Sequence, residues 1–394
     1  MERYDAIVIG AGPAGSTSAY RLARAGARVL LLDRAKFPRD KPCGGGLTIR
    51  AVRQLPVSPD PVVEHTVSRM GFRLRYGTRF ERESREPLVL MTQRRRLDHY
   101  LVEEAVAVGA EFRDGVRVAD VEAGETGVSV TVDGEHVSAE VLVGADGVNG
   151  TTRKTLGLGG DYVLGVAFEG NVRQELVGSR YDNLAEFELG TIPGGYAWIF
   201  PKGDHVNVGV GGWESQGPTL RGHLKQLCRA HGIPDEAVEE LRGHRLPCRK
   251  PQSVAARGRA LLVGDAGGLV DPLSGDGMYE AFVSSRLAGE TVVERLEGKV
   301  DRLDGYNRKL SNALNLGAAA SWGAKIAFDR HPRAVFELGR LPIAWGAVER
   351  MLRGDIGHPG DERGPARITL KLIEAIAKLA GDPGAAYRAE AKPA

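Results

Sequence analysis

The sequence predicts an α/β protein: a parallel sheet assembled from separated segments, a second and more antiparallel sheet, and a helical C-terminal region. Three observations carry this. A strand–helix–strand unit stands at the N-terminus. Short apolar runs ending in glycine and an acid recur near residues 144 and 264. Alternating segments fill the stretch between them.

Asp5-Ala-Ile-Val-Ile-Gly10 is a short β-branched run of the kind buried in a parallel sheet. Pro13 to Ala25 follows as a helix, with Ala19, Leu22 and Ala23 at helical spacing, and Arg28-Val-Leu-Leu-Leu-Asp33 is the next strand. Phe37 to Thr48, rich in Pro and Gly, reads as an ordered loop. Leu97 to Val108 is a helix, and Val128–Val132 and Val141–Gly144 are strands. Segments 162–172, 184–190, 195–200 and 205–211 alternate as an antiparallel sheet would. Ala260–Gly264 is again short and apolar, Tyr279–Leu296 is helical, and 301–381 is mostly helical before a frayed tail. The expected partition is a discontinuous first domain (1–65, 92–155 and 255–300), a sheet domain (66–91 and 156–254) and a helical region (301–394).

The 394 residues carry 53 basic and 51 acidic side chains, a net charge of +2 that calls for no nucleic-acid partner. With 42% hydrophobic residues the chain is too apolar for a disordered protein. Three cysteines do not make a disulfide framework, and Cys228 and Cys248 read as ordinary thiols. No run of about 18 apolar residues suggests a membrane span, and no Cys/His spacing suggests a metal site. Glycine, at 53 residues, marks many tight turns or close approaches to a ligand.

Gly10-Ala-Gly12-Pro-Ala-Gly15 sits where a strand ends and a helix begins. Gly10 permits the turn, Gly12 lets backbone approach a pyrophosphate, and Gly15 lets helix pack on strand, while the helix N-terminus offers free N–H groups. Asp33 ends the second strand, where its carboxylate can accept from a ribose 2′-OH and would repel a 2′-phosphate. The nucleotide expected there is ADP-ribose-like rather than NADP. Val143-Gly-Ala-Asp146-Gly147 and Val263-Gly-Asp265-Ala-Gly267 each close a strand with a carboxylate between glycines. The second continues into Asp271-Pro-Leu-Ser-Gly275-Asp-Gly277 and a helix, which suits a ribityl hydroxyl and a flavin ring.

Across about residues 1 to 300 these three motifs resemble the glutathione-reductase-type FAD proteins, in the branch of aromatic hydroxylases, flavin halogenases and geranylgeranyl reductases. The resemblance implies FAD. It places Ala14 and Asp33 on the ADP half, Arg94 of Arg94-Arg-Arg-Leu-Asp98 reaching the cofactor, and Val118 near the adenine. Asp265 would lie on the ribityl chain, with Asp146 in the same cradle and Gly275, Gly277 and Met278 beside the ring.

Lys41-Pro-Cys43-Gly44-Gly-Gly46 resembles the K-x-C-G-G-G segment of geranylgeranyl reductases, which implies that Cys43, Gly44 and Gly46 meet the flavin and makes Cys43 the candidate catalytic residue. Tyr196-Ala-Trp198-Ile-Phe200-Pro201, followed by Gly209-Val-Gly211, resembles their Y-x-W-x-F-P…G-x-G pattern, which implies that Tyr196, Trp198, Phe200, Pro201, Gly209 and Gly211 bind the substrate. Alternation puts Tyr196, Trp198 and Phe200 on one strand face, a wall suited to a prenyl chain, although such stripes also build plain cores.

The implied activity is FAD-dependent saturation of carbon–carbon double bonds in a geranylgeranyl or other polyprenyl lipid by hydride transfer. A monooxygenase or halogenase, and a prenyl-binding escort without chemistry, stay as alternatives. No second dinucleotide cradle appears, and the resemblance implies an external electron donor, NADPH or ferredoxin, that docks transiently. The expected location is the cytoplasm. Ala366–Leu379 is a candidate basic amphipathic contact with a membrane surface, with packing onto the protein itself as the competing reading.

Overall fold

The computed structural model describes residues 2–356 apart from 161, 251 and 252, together with 363, 364, 367, 368 and 371. Its first sheet has eight strands. The parallel part runs Ala260–Leu262, Glu135–Gly144, Glu2–Ile9, Val29–Asp33 and Glu111–Asp114. Val128–Val132 and Val118–Ala123 extend Glu135–Gly144 as an antiparallel meander.

Alternation along the first strand explains why it is apolar throughout. Ala6 and Val8 pack with the helical layer, which includes Ala19, Leu22, Val102, Ala281 and Val292. Ile7 and Ile9 point to the other side, onto Val121, Val128 and Val130 of the meander. Both faces are covered, as parallel strands require. Helices Pro13–Arg24, Arg94–Ala107 and Met278–Leu296 form that layer.

The second sheet has seven strands, in the order Glu239–Cys248, Val163–Arg173, His205–Trp213, Tyr196–Pro201, Leu184–Leu189, Arg69–Leu74 and Arg79–Glu83. It is antiparallel except where Leu184–Leu189 meets Arg69–Leu74. One face packs on helix Leu220–Ala230 through Val206, Val208, Val210, Leu224 and Leu227. The other face turns toward the first sheet.

One local reading is corrected. Phe37 to Thr48 is not loop throughout: Gly46–Thr48 is a strand paired with Val89–Thr92, which also pairs with Val63–Val67. This three-stranded sheet is separate from the two larger ones. The loop reading fails because the partner of Val89–Thr92 lies in the glycine-rich loop, whose extended end a single-sequence pattern cannot show.

Helices Gly305–Arg330, Pro332–Gly339 and Pro342–Arg353 make up the C-terminal region. They are bound to the sheet domain through rings: Trp322 stacks on Trp213 at 6.0 Å, Phe336 meets Phe80 at 5.1 Å and Trp345 meets Phe72 at 6.4 Å. The amphipathic segment 366–379 and the tail lie almost wholly outside the described residues. Among the described residues no helix is long and apolar enough to cross a membrane.

Candidate functional site

The glycines and acids singled out in the sequence converge at the carboxyl ends of adjacent parallel strands, the place where open α/β sheets bind ligands. Gly10 follows the first strand with φ +103°, and a Cβ there would lie 2.3 Å from the carbonyl oxygen of Ala145, which follows the strand beside it. A Cβ on Gly15 would lie 1.8 Å from the Gly10 carbonyl oxygen, so the helix rests directly on the turn. Asp33 accepts from the Ala11 N–H at 2.8 Å and the Ala35 N–H at 2.8 Å, which fixes its carboxylate at the rim.

Asp146 uses Oδ2 for the Thr152 N–H and hydroxyl, at 2.9 and 2.8 Å. Its Oδ1 is buried with no partner, a polar atom that a bound hydroxyl would satisfy. Asp265 lies opposite, with Lys41 Nζ at 3.1 Å and His244 Nε2 at 3.4 Å. Burial works against its charge, but the Lys41 ammonium and His244 outweigh it and hold the carboxyl well below the usual range.

Apart from Gly15, these glycines and acids border one cavity of about 1100 Å³. Gly10, Gly12, Ala14, Asp33, Val118, Asp146, Asp265, Gly275, Gly277 and Met278 line it, with Cys43, Gly44, Gly46 and Arg94. Gly15 serves helix packing behind it. Arg94 is buried and makes a bidentate pair with Asp98, both bonds at 2.7 Å, and Arg39 adds a third cation contact at 2.8 Å. Burial disfavours the Arg94 charge, but Asp98 overrides it and raises the guanidinium further.

The Cys43 loop crosses the middle of the cavity. The Cys43 N–H donates to Glu169 Oε1 at 2.6 Å, and its Sγ accepts from the Gly45 N–H at 3.3 Å. Lys202, almost fully buried, donates to the carbonyls of Thr92 at 2.8 Å and Cys43 at 3.2 Å. Gly45 has φ +77°, and a Cβ there would meet Lys202 Nζ at 1.8 Å; both its conformation and its neighbour demand glycine.

Beyond the loop the cavity runs along an aromatic wall. Tyr196, Trp198 and Phe200 line it in sequence, with ring centroids 6.0 and 6.1 Å apart. Tyr196 donates its hydroxyl proton to the Ser274 carbonyl. Gly211 lines the wall, but Pro201 and Gly209 do not. Pro201 points to the opposite strand face, as its place after Phe200 dictates, and Gly209 lies behind the Trp198 indole. Met70, Val89, Phe187, Met351 and Leu352 supply an apolar part of the lining, and Trp213, Ser321, Lys325 and Cys248 a mixed one.

Sequence reasoning missed Glu169 and Lys202. Each carries a weak local sign, a charge inside an apolar strand and a lysine directly after Phe-Pro, but their meeting with Cys43 is a tertiary event. Among the described residues no group of three or more His, Cys, Asp or Glu side chains is placed to hold a metal ion.

Comparison with known proteins agrees with this geometry. Residues 3–315 match the family model described as an FAD binding domain. A digeranylgeranylglycerophospholipid reductase of Methanopyrus kandleri is 36% identical over 321 residues, 75% of this chain and 81% of its own. The chain belongs to the geranylgeranyl reductase family of FAD-dependent oxidoreductases. A geranylgeranyl diphosphate reductase of Synechocystis, another relative, is 31% identical over 319 residues, 73% of this chain and 74% of its own. A geranylgeranyl bacteriochlorophyll reductase-like structure from Thermoplasma acidophilum shares the reductase fold with a TM-score of 0.76. It is 21% identical and covers 95% of this chain, which covers 96% of it. The halogenase PltM shares the fold with a TM-score of 0.70 at 18% identity, over 98% of this chain and 94% of its own.

Proposed function

We propose that this reductase saturates carbon–carbon double bonds in a polyprenyl lipid. The supporting observation is the continuity of one cavity from the strand-end glycines and acids, past Cys43, to a wall of three aromatic rings flanked by Met70, Val89, Phe187, Met351 and Leu352. A long, flat, unsaturated hydrocarbon fits such a wall better than a polar metabolite does. The names of the relatives point to the same substrate class.

The cofactor fits the residues present. The N–H groups at the start of helix Pro13–Arg24 and the bare backbone of Gly12 would take a pyrophosphate, Asp33 a ribose, and the unpartnered Asp146 Oδ1 and Asp265 hydroxyls. Gly44, Gly46, Gly275, Gly277 and Met278 would surround the ring, with Arg94 and Val118 completing the site. Bound FAD, once reduced, supplies the hydride. The protein binds the lipid along Tyr196, Trp198, Phe200 and Gly211, excludes water, and positions one alkene against the Cys43 loop. The second carbon needs a proton. The external reductant, NADPH or a ferredoxin, and the approach of the chain to a membrane surface belong to this same proposal. The partition proposed is a flavin domain (1–65, 92–155 and 255–300), a lipid-binding sheet domain (66–91 and 156–254) and a helical cover (301–394).

The test is anaerobic. The purified flavoprotein is reduced with dithionite, mixed with a panel of prenyl lipids, and the products are weighed by mass spectrometry. Products heavier by two hydrogens per event are expected. A flavoprotein inert to every lipid that consumes oxygen with an aromatic substrate would transfer the assignment to the monooxygenase or halogenase reading. A chain that takes up no flavin would favour a prenyl-binding escort.

A further inference from the structure

Strand Val163–Arg173 presents Gly165, Ala167 and Glu169 to the cavity, as alternation requires. Two of these are nearly bare. The third is a carboxyl only 7% exposed, beside the loop that holds Cys43. Burial raises this carboxyl above its ordinary range, against the opposing pull of Lys202 and of the Cys43 N–H.

The charged groups around it are already engaged, and the Cys43 thiol, whose Sγ accepts from the Gly45 N–H, is the competing proton source. Lys202 donates hydrogen bonds to the Thr92 and Cys43 carbonyls. Asp40 is paired with Arg242, which stands across the sheet from Glu169. His244, on the same strand as Arg242, faces Asp265, and Arg94 is paired with Asp98. The phenol of the wall, Tyr196, donates its hydroxyl hydrogen bond to the Ser274 carbonyl. Asp276, a second buried carboxyl of the cavity, has a guanidinium of Arg50 at 4.0 Å as its charge partner.

We propose that Glu169 is the acid of the reaction, giving its carboxyl proton to the alkene carbon that does not receive the hydride. The inference rests on the polyprenyl reductase reading. The π bond opens. One new C–H bond takes the hydride with its electron pair, and the other takes the Glu169 proton. The flavin is thereby oxidised and the alkene reduced; the Glu169 carboxylate recovers a proton from water, and an external reductant such as dithionite restores the flavin. Burial favours the protonated form of this acid, and general acid assistance contributes on the order of 10²–10⁴ in rate.

The experiment compares wild type with Glu169→Gln, whose amide oxygen can still accept the Cys43 N–H. Both are loaded with FAD, reduced anaerobically with dithionite, and mixed with geranylgeranyl diphosphate or a geranylgeranylated glycerophospholipid across pH. Expected is a fall in single-turnover rate of about 100-fold or more, with flavin content and lipid affinity unchanged. The wild-type rate declines as pH rises, and the variant's profile is flat. The infrared difference spectrum, wild type minus variant, shows the C=O stretch of a protonated carboxylic acid.

Variant turnover within about threefold of wild type, or a difference spectrum without that band, overturns the proposal. Loss of rate in Asp276→Asn with Glu169→Gln unaffected overturns it in favour of the other carboxyl. Where Glu169→Gln fails to hold flavin, Glu169→Asp decides: a shifted midpoint in its pH–rate profile supports the role, and an unshifted one sinks it. Wild type inert to both lipids marks failure of the reductase reading itself, and is told apart from an active wild type with an equally active variant.

Discussion

The indole of Trp198 occupies the space that a side chain on Gly209 would need: a Cβ there would lie 2.1 Å from the ring. The two residues face each other across neighbouring strands, and Trp198 Nε1 donates to Asn207 Oδ1 at 2.7 Å on the same side. Gly209 thus sets the tilt of the central ring of the wall without touching the cavity. Gly209→Ala should push the indole out, at a cost of about 1–3 kcal/mol. Lipid turnover should fall while flavin content stays at one per chain. Tryptophan fluorescence and turnover measured together would check this; normal turnover in a stably folded variant removes the wall from substrate binding.

Gly15 predicts the opposite separation. Its missing Cβ lets helix Pro13–Arg24 sit on the Gly10 turn, so Gly15→Ala must lift the helix N-terminus that meets the pyrophosphate. Flavin affinity should weaken by about tenfold or more, equivalent to about 1.4 kcal/mol. Flavin absorbance after desalting reads the effect directly, and full retention would refute the cradle as drawn.

Asp98 holds two guanidiniums, from Arg94 on its own helix and Arg39 on the loop, while being fully buried itself. Asp98→Asn removes the charge that both cations depend on. The expected destabilisation is about 3–5 kcal/mol, the range for breaking a buried pair from one side. Urea unfolding measures it, and flavin should be lost alongside because Arg94 lines the cavity.

How far the sequence reached depended on whether a residue's role is settled by near neighbours in the chain. Gly10, Gly12, Gly15 and Asp33 lie within one strand–helix–strand unit, so spacing alone placed them. Arg94 and Asp98 are one helical turn apart, and their pairing was within reach of the same reasoning. Pro201 and Gly209 show the limit. Alternation already sets Pro201 opposite Phe200, yet a motif taken as a unit put both on the wall. Glu169 was out of reach, because its partner Cys43 is 126 positions away and a lone charge in an apolar strand is too weak a local sign to place it. The strand Gly46–Thr48 escaped for the same reason, since its partner is Val89–Thr92.

His231 gives stability a pH dependence far from the cavity. It is buried, its Nδ1 meets the Tyr181 hydroxyl at 2.9 Å, and burial with Arg73 nearby pushes it down to about 4. The unfolded chain binds a proton near pH 6.5 that the folded chain refuses until about pH 4. Stability is therefore lost as pH falls through this window, by about 3 kcal/mol in total. Glu188, pushed up to about 7 by burial, works in the other direction: its penalty grows as pH rises from 4.5 toward 7. Comparison of wild type with His231→Gln by urea unfolding at several pH values isolates the histidine. Its removal should flatten the acid side of the curve, and parallel curves would contradict the assignment.

Lys202 is the residue on which the shape of the Cys43 loop turns. Its ammonium is buried, which lowers its proton affinity, and it holds the carbonyls of Thr92 and Cys43 at 2.8 and 3.2 Å. Lys202→Met keeps the length of the side chain and removes the donors, leaving two carbonyls short of partners at about 1–3 kcal/mol each. The cheapest relief is for the loop to open toward solvent and hydrate them. Cys228 and Cys248 are buried, whereas Cys43 is partly exposed, so alkylation of the native protein reports on Cys43 alone. The iodoacetamide reaction should quicken several-fold in the variant, and bound FAD should slow it again if the loop closes over the flavin. An unchanged rate would mean that the Glu169 bond to the Cys43 N–H holds the loop without help from the lysine.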